Sequence, residues 1–599
     1  MSVLNNSKQR SSRRTERLLD VTIRDFSGGW NVVDNDLNMS TKFSKKLSNM
    51  RLGKDGSIGV RHGTRLFSSV AGLTNKIINH KYYNGHIVVV GGDGIVIKVD
   101  STGKASVIFN TEFANGLPGS PSAWGTTTFV SFAEFNGELI ICNGVNKPLL
   151  VNTSMTVTYL NDPATGSNAN TPIGKYVQAY SSYLVIAGDP DAVDTLHISS
   201  TDTSGVFLGD PAPNDAVDVV MGSRVPQGSS TIKGLGRFRD KAMIAFENSI
   251  IIGTLGVFSG ADHVPTFDDA IEEQGAISHR VMQTIGEDMM FCDNVGVSSA
   301  SKALFTGNVK SERLSYLVDP EIQKDIGRFD STSELENRTF AMYHSLEQSY
   351  FLFIPNAGTE AQTNETRCFV YRRIKALKVL AWFEYVGWNW TCATVSALKR
   401  VFFGKGTDIF IYGQEQDPIY KDREGAEEMF DDDTSFTDYT GWSPVASTAD
   451  SGVPIAFIWE LPWSDNRERF KVKVSRYINF DTDGDQRFTA KMFVDNLYDD
   501  RSFMGETWQD ETLFSDGLGW DVESLDPTLE LEFVGGTAPG YGSDQYGEFY
   551  GGGRPTRHEG LYAWTTKYKL FKLRVDGDAV GPLRFISTTL AYQLGSIRR

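Results

Sequence analysis

Tyr83-Asn-Gly-His-Ile-Val-Val-Val-Gly-Gly-Asp-Gly-Ile-Val-Ile97 sets the fold of this chain. An aromatic residue stands before an Asn-Gly turn, and the strand that returns is almost wholly apolar, so both of its faces need cover. The cadence comes back in Phe135-Asn-Gly-Glu-Leu-Ile-Ile-Cys142, in Tyr180-Ser-Ser-Tyr-Leu-Val-Ile-Ala-Gly-Asp189 and in Phe238-Arg-Asp-Lys-Ala-Met-Ile-Ala-Phe246. Hairpins repeated about 40 to 50 residues apart describe the blades of a β-propeller, because a lone blade cannot bury both faces and stacking around an axis covers them. The expected fold is all-β with few short helices: a propeller of roughly six to eight blades, then an antiparallel β-sandwich.

The sandwich is read from a change of pattern. Beyond an acidic stretch, Arg423 to Thr440 with Asp431-Asp432-Asp433, the strands alternate apolar with polar, as in Phe470-Lys-Val-Lys-Val, Phe488-Thr-Ala-Lys-Met-Phe-Val, Phe571-Lys-Leu-Arg-Val and Leu583-Arg-Phe-Ile. Period two means one wet face and one buried face. The expected organisation is a flexible basic arm at 1–20 carrying Arg10, Arg13, Arg14 and Arg17, a propeller over 21–425, and a sandwich over 426–599 with a Gly- and aromatic-rich insertion at 496–560. Ser311 to Phe329 reads as a short helical insert broken at Pro320. Ser40 with Phe43, Leu47 and Met50 reads as another short helix, and Asp55-Gly56 as a hairpin turn leading back through Ile58 and Val60.

At 599 residues the chain exceeds what one hydrophobic core supports, and 40% apolar content is ample for several. A formal charge of −17 argues against a protein whose main task is to grip nucleic acid, though acidic walls would let a duplex slide past. No run of 18 apolar residues and no signal-peptide core is present. Cys142, Cys292, Cys368 and Cys392 lack metal spacing and sit in apolar strands, so buried free thiols are expected.

Motifs for chemistry are scarce. The eight histidines show no HxH or HExxH spacing, and neither a GxSxG elbow nor a phosphate-binding loop occurs. No catalytic residue, enzyme activity or cofactor is expected. Asp481, Asp483 and Asp485 form a weak calcium candidate, whose letters equally make a plain hairpin turn. The acids Asp189, Asp191 and Asp194 share a loop of the kind propellers carry by default. Trp508, Trp520, Tyr541, Tyr546, Phe549 and Tyr550 in the insertion mark an interaction surface.

One resemblance adds to this. The order Gly28-Gly29, a short element ending near Asn49, the Asp55-Gly56 turn and Arg61-x-Gly63-Thr64 resembles the opening of the tail nozzle proteins of short-tailed bacteriophages, a family that includes tail tubular protein B and packaged-DNA stabilisation protein. Leu235 to Lys302 is similar to that family's propeller. The strand ending near Trp463, strand 469–480 and the pair 568–592 ending in Leu590-Ala-Tyr592 are similar to its C-terminal sandwich. The insertion at 496–560 has no counterpart. The resemblance implies a structural subunit in the virion tail, assembled in the bacterial cytoplasm. Six copies would form a ring below the adaptor or tubular protein A ring, hold tail fibres or spikes, pass double-stranded DNA without sequence specificity and retain the packaged genome. The alternative reading is a propeller that binds or cleaves polysaccharide at a cell surface.

Overall fold

The computed structural model describes residues 18–594 outside the stretches 110–123, 161–169, 302–312, 356–365, 423–452, 465–472, 495–529, 534–556 and several shorter ones. The chain is built almost entirely of antiparallel strands. Among the described residues seven sheets follow one another as blades. Blade 1 runs from Ile77–Tyr83 through His86–Gly91 and Val96–Val99 to Ala105–Phe109, each strand pairing with the next. Blades 2, 3 and 4 repeat that meander from Ser131–Phe135, Tyr176–Tyr180 and Gly234–Phe238. Blade 5 (Gln283–Ile285, Asp288–Cys292, Val297–Ser299) has three described strands. Blade 6 starts at Phe340–His344 and ends at Val379–Trp388. Blade 7 takes Cys392–Val395, Val401–Lys405 and Asp408–Tyr412, and its outer strand is Thr64–Ser69 from far earlier in the chain.

That borrowed strand closes the ring. Side chains stitch neighbouring blades where the inner strands begin: Asn79 Nδ2 donates to Val130 O at 2.8 Å, Ser131 Oγ to Lys175 O at 2.8 Å, and Thr391 Oγ1 to Ile77 O at 3.0 Å, joining blade 7 to blade 1. The apolar second strands explain the packing. In blade 1, Ile87 and Val89 face the core shared with blade 7, while Val88 and Val90 face the core shared with blade 2. In blade 2, Leu139 and Ile141 face blade 1, and Ile140 and Cys142 face blade 3. Burying each such side chain contributes about 1.5–3 kcal/mol, so every blade gains on both faces. The aromatic before each turn (Tyr83, Phe135, Tyr180, Phe238) is the last residue of its inner strand and is buried. Tyr83 reaches the next blade, its hydroxyl donating to Gly137 O.

The sandwich has two sheets. One sets Arg557–Ala563, Lys473–Gly484 and Leu583–Leu594 side by side. The other joins Val453–Glu460, Phe571–Ala579, Phe488–Val494 and Glu530–Phe533. Phe457, Trp459, Phe480, Phe488 and Phe585 meet in the core, with ring centroids 5.1–6.4 Å apart. Phe571–Ala579 buries every second residue over most of its length, as its alternation predicts.

Four expectations need correction. The stretch Phe43 to Leu52 is not helical: it forms Phe43–Ser44, Lys46–Ser48 and Met50–Leu52 as short strands. Asn49 sits between the last two at φ 55°, which ends any helix, and Leu47 and Met50 are buried from extended backbone. The Asp55-Gly56 hairpin is present, pairing Met50–Leu52 with Ile58–Val60. Parts of 18–60, of which 18–20 was expected in the arm and 21–60 within the propeller, pair with the sandwich instead: Leu18–Ile23 and Ile58–Val60 with Leu583–Leu594, and Lys46–Ser48 with Val453–Glu460. Lys46–Ser48 also touches Glu384 of blade 6, so one sheet runs from propeller into sandwich. Pro320 does not break a helix but opens one, α1 (Asp319–Ile326), where its missing N–H costs nothing; α2 (Thr332–Arg338) follows.

The fourth concerns the aspartates. Asp481 and Asp483 lie within strand Lys473–Gly484, opposite Glu559 and Arg557, and Asp481 is buried. Lys473–Gly484 and Phe488–Val494 do not pair with each other but belong to different sheets, so they are not the two arms of a hairpin. Asp485, the arm with Arg10, Arg13, Arg14 and Arg17, and the insertion residues Trp508, Trp520, Tyr541, Tyr546, Phe549 and Tyr550 lie outside the described residues.

Candidate functional site: a clasp, an axial helix and a junction cleft

The Gly-Gly-Trp turn and the Arg-x-Gly-Thr motif both serve the joint between propeller and sandwich. Gly29 adopts φ 68°, and a Cβ there would lie 2.8 Å from Ala381 Cβ. The turn lays Trp30 on Phe369 of blade 6, centroids 6.0 Å apart, with its Nε1 donating to Lys45 O. Arg61 is 1% exposed. It grips Asp422 with both Nη atoms and gives its Nε–H to Asn49 Oδ1 at 2.8 Å. Its guanidinium lies 4.3 Å from the Trp388 ring, whose Nε1 also donates to Asp422. Asn49 reaches both units, its N–H donating to Glu384 O and its Nδ2 to Ala456 O. A Cβ on Gly63 would stand 1.9 Å from Lys421 O, so only glycine fits beside the strand that carries Asp422.

A second buried group flanks this clasp. Arg51 from the sandwich hairpin and His344 and Glu347 from blade 6 converge with His62 and Tyr412. Burial works to raise the Glu347 carboxyl, yet the His344 ring 3.9 Å away and the Arg51 and Arg372 guanidiniums overcome it and bring it to about 2. Burial, helped by Arg51, pushes His62 down to about 3, so its ring is neutral.

At the propeller axis, α2 crosses the end where inner strands begin. Glu336, 3% exposed, is held by Lys175 before blade 3's inner strand, by Lys233 before blade 4's at 3.0 Å, and by the Tyr176 hydroxyl. Ser278 Oγ donates to Glu336 O, while Arg280 donates to Asn337 O and to Thr391 O of blade 7. Burial alone would raise the Glu336 carboxyl; Lys175, Tyr176 and Lys233 leave it lowered. The helix is thus tied to the starts of blades 3, 4 and 5, and Arg280 carries the contact on to blade 7.

Two clefts stand out among the described residues. One of about 610 Å³ lies between blade 6, α1 and the sandwich, lined by Trp30, Lys46, Lys324, Arg367, Glu384 and Gly387 among others. Arg367 forms its wall, engaging Glu384, Glu321 and Asp325. The other, about 290 Å³, is on blade 3, where His197 stands 3.0 Å from Asp218 and 3.7 Å from Asp189, with Asp191 beside them. Asp194 is apart from this lining, its backbone oxygen accepting from Met221 N–H. Among the described residues no three His, Cys, Asp or Glu side chains form a metal-binding group. The four cysteines are buried and outside any disulfide.

Sequence reasoning missed Glu336, Lys175, Lys233, Arg367 and Asp422. The one local signal was Ser331-x-x-Glu334, a helix-start pattern that announces α2 without revealing what Glu336 meets.

No family profile matches the chain, and no curated protein matches it. Among solved structures it is similar to YCF48 bound to D1 peptide, at 11% identity and TM-score 0.35 over 57% of this chain and 95% of that one. Streptogramin B lyase gives 10% identity and TM-score 0.34, covering 59% of this chain and 98% of that one. PorZ, a surface component of the type-IX secretion system of Porphyromonas gingivalis, gives 12% and 0.31 over 58% of this chain and 37% of that one.

Proposed function

We propose that this chain is a structural tail nozzle subunit of a short-tailed phage, one wedge of a ring around a DNA passage. The observation that supports the reading is where its resemblance-bearing residues sit. Gly29, Asn49, Arg61 and Gly63 are all parts of one joint, and the strands carrying the C-terminal half of the resemblance pair directly with the opening segment. Residues spent on fixing the angle between two rigid β units make sense in a wedge, because a heterologous ring closes only at one subunit geometry. In this reading the ring, taken as six copies, continues the channel below the adaptor ring, carries fibres or spikes outside and retains the genome, and the acidic surplus lets duplex pass without sticking.

The test is assembly. Purified chain is mixed with the companion adaptor-ring protein and imaged by negative stain; rings with an open bore are expected. Solitary 66.3 kDa particles in the presence of that companion would overturn the reading.

A second reading, a polysaccharide-binding or polysaccharide-cleaving propeller, is favoured by the blade 3 pocket, where His197 holds Asp218 and faces Asp189. Carboxylates held at a pocket wall suit sugar hydroxyls. A glycan-binding and hydrolysis screen decides it: signal lost in Asp189→Asn supports it, and silence removes it.

A further inference from the structure

The 610 Å³ junction cleft has the features of a built site, and its charge names the ligand class. Its three lining carboxylates are already engaged: Glu321 and Glu384 by Arg367, and Glu460 by Lys572. Lys45 is taken up by Asp36 and Arg328 by Asp325. Lys46 and Lys324 remain, both exposed and, among the described residues, without an ion-pair partner. On a chain of net charge −17 this cleft therefore carries a local positive surplus.

The backbone is shaped for close approach as well. The strand Val379–Trp388 has one more residue than Thr366–Cys368 opposite it, a bulge that falls at Val386 and Gly387 on the cleft wall. Gly387 adopts φ 82°, and a Cβ there would meet nothing within 4 Å, so open space stands over the backbone. The positive φ of the bulge itself calls for glycine, and with no side chain on it the cleft wall is open at that point. The walls are pinned: Arg367 lies against Trp30 and Phe369 as well as its three carboxylates, and Ser48 Oγ donates to Glu384. Preorganised walls at a junction of two units are where ligand clefts concentrate.

We propose that this cleft binds a small oxyanion ligand, a phosphate or polycarboxylate, with Lys46 and Lys324 supplying the charge. The proposal stands independently of the ring reading. Isothermal titration of the full chain at low ionic strength, with inorganic phosphate in one arm and citrate in the other, should give saturable binding with a Kd of about 1 mM or tighter in at least one arm. Signal with phosphate alone assigns a phosphoryl ligand; signal with citrate alone assigns a carboxylate one. Lys46→Glu/Lys324→Glu should weaken binding roughly tenfold or more, Lys46→Arg/Lys324→Arg should retain it, and Lys104→Glu on blade 1 should leave it unchanged. Silence in both arms, or equal weakening by Lys104→Glu, overturns the proposal.

Discussion

Replacing Arg61 with methionine tests whether the joint is held the way its geometry implies. The substitution keeps most of the apolar stem and removes the guanidinium. Asp422 then keeps the Trp388 Nε1 hydrogen bond but loses both bonds from Arg61, and Asn49 Oδ1 loses a third. Breaking a buried pair from one side costs about 3–5 kcal/mol, because the remaining charge stays desolvated without compensation. The lost cation–π contact with Trp388 adds up to about 2 kcal/mol in the same direction. A domain's whole stability is about 5–15 kcal/mol, so the joint should open well before either unit unfolds. Hydrogen exchange followed by mass spectrometry reads this locally: peptides covering 46–61, 379–388 and 453–460 should lose protection, while blade 2 and blade 3 peptides keep theirs. Arg61→Met/Asp422→Leu should recover part of the loss, with a coupling of at least about 1 kcal/mol between the two sites. Protection in 379–388 within about 1 kcal/mol of wild type in the single variant would refute the clasp.

Other consequences are cheaper to check. Gly63→Ala places a methyl 1.9 Å from Lys421 O, against backbone that cannot yield without moving Asp422; a drop in urea midpoint worth at least about 3 kcal/mol, or failure to express as soluble protein, is expected. Glu336→Gln leaves Lys175 and Lys233 facing a neutral amide at the axial mouth, and peptides of α2 should exchange faster by an amount equivalent to roughly 2–4 kcal/mol. Acid sensitivity should begin earlier than carboxylates alone would bring it. His62 and His80 are held at about 3 and His279 at about 4, in each case chiefly by burial, so below pH ~6.5 the unfolded chain takes up protons that the folded chain refuses. Stability therefore falls with pH from ~6.5 downward, and Glu347, lowered to about 2, adds a further loss as pH drops from ~4.5 towards 2. Thermal melts across that range should show the upper limb shallower in His80→Gln; an identical limb would refute the assignment.

The propeller was legible in the sequence because its signal is local. A strand such as Ile87-Val88-Val89-Val90 needs two apolar neighbours wherever they come from, and the Asn-Gly turn before it fixes the hairpin within a few residues. The joint was not legible, for the opposite reason. Leu18–Ile23 pairs with residues near 590, Arg61 meets Asp422, and Glu336 draws Lys175 and Lys233 from two other blades; no window of sequence holds both partners. The helical spacing of Phe43, Leu47 and Met50 misled because burial on one side follows equally from three short strands kinked at Asn49, and periodicity over eight residues does not separate the two. What the motif reading did find were Gly29, Asn49, Arg61 and Gly63, each of which permits or makes a contact that another residue type would lose. All four lie where propeller and sandwich meet, so each bears on the angle between the two halves. In the proposed ring, that angle is the property through which a substitution would reach the assembly: a few degrees at each joint would accumulate around the closed ring, and a ring that cannot close becomes an open helix.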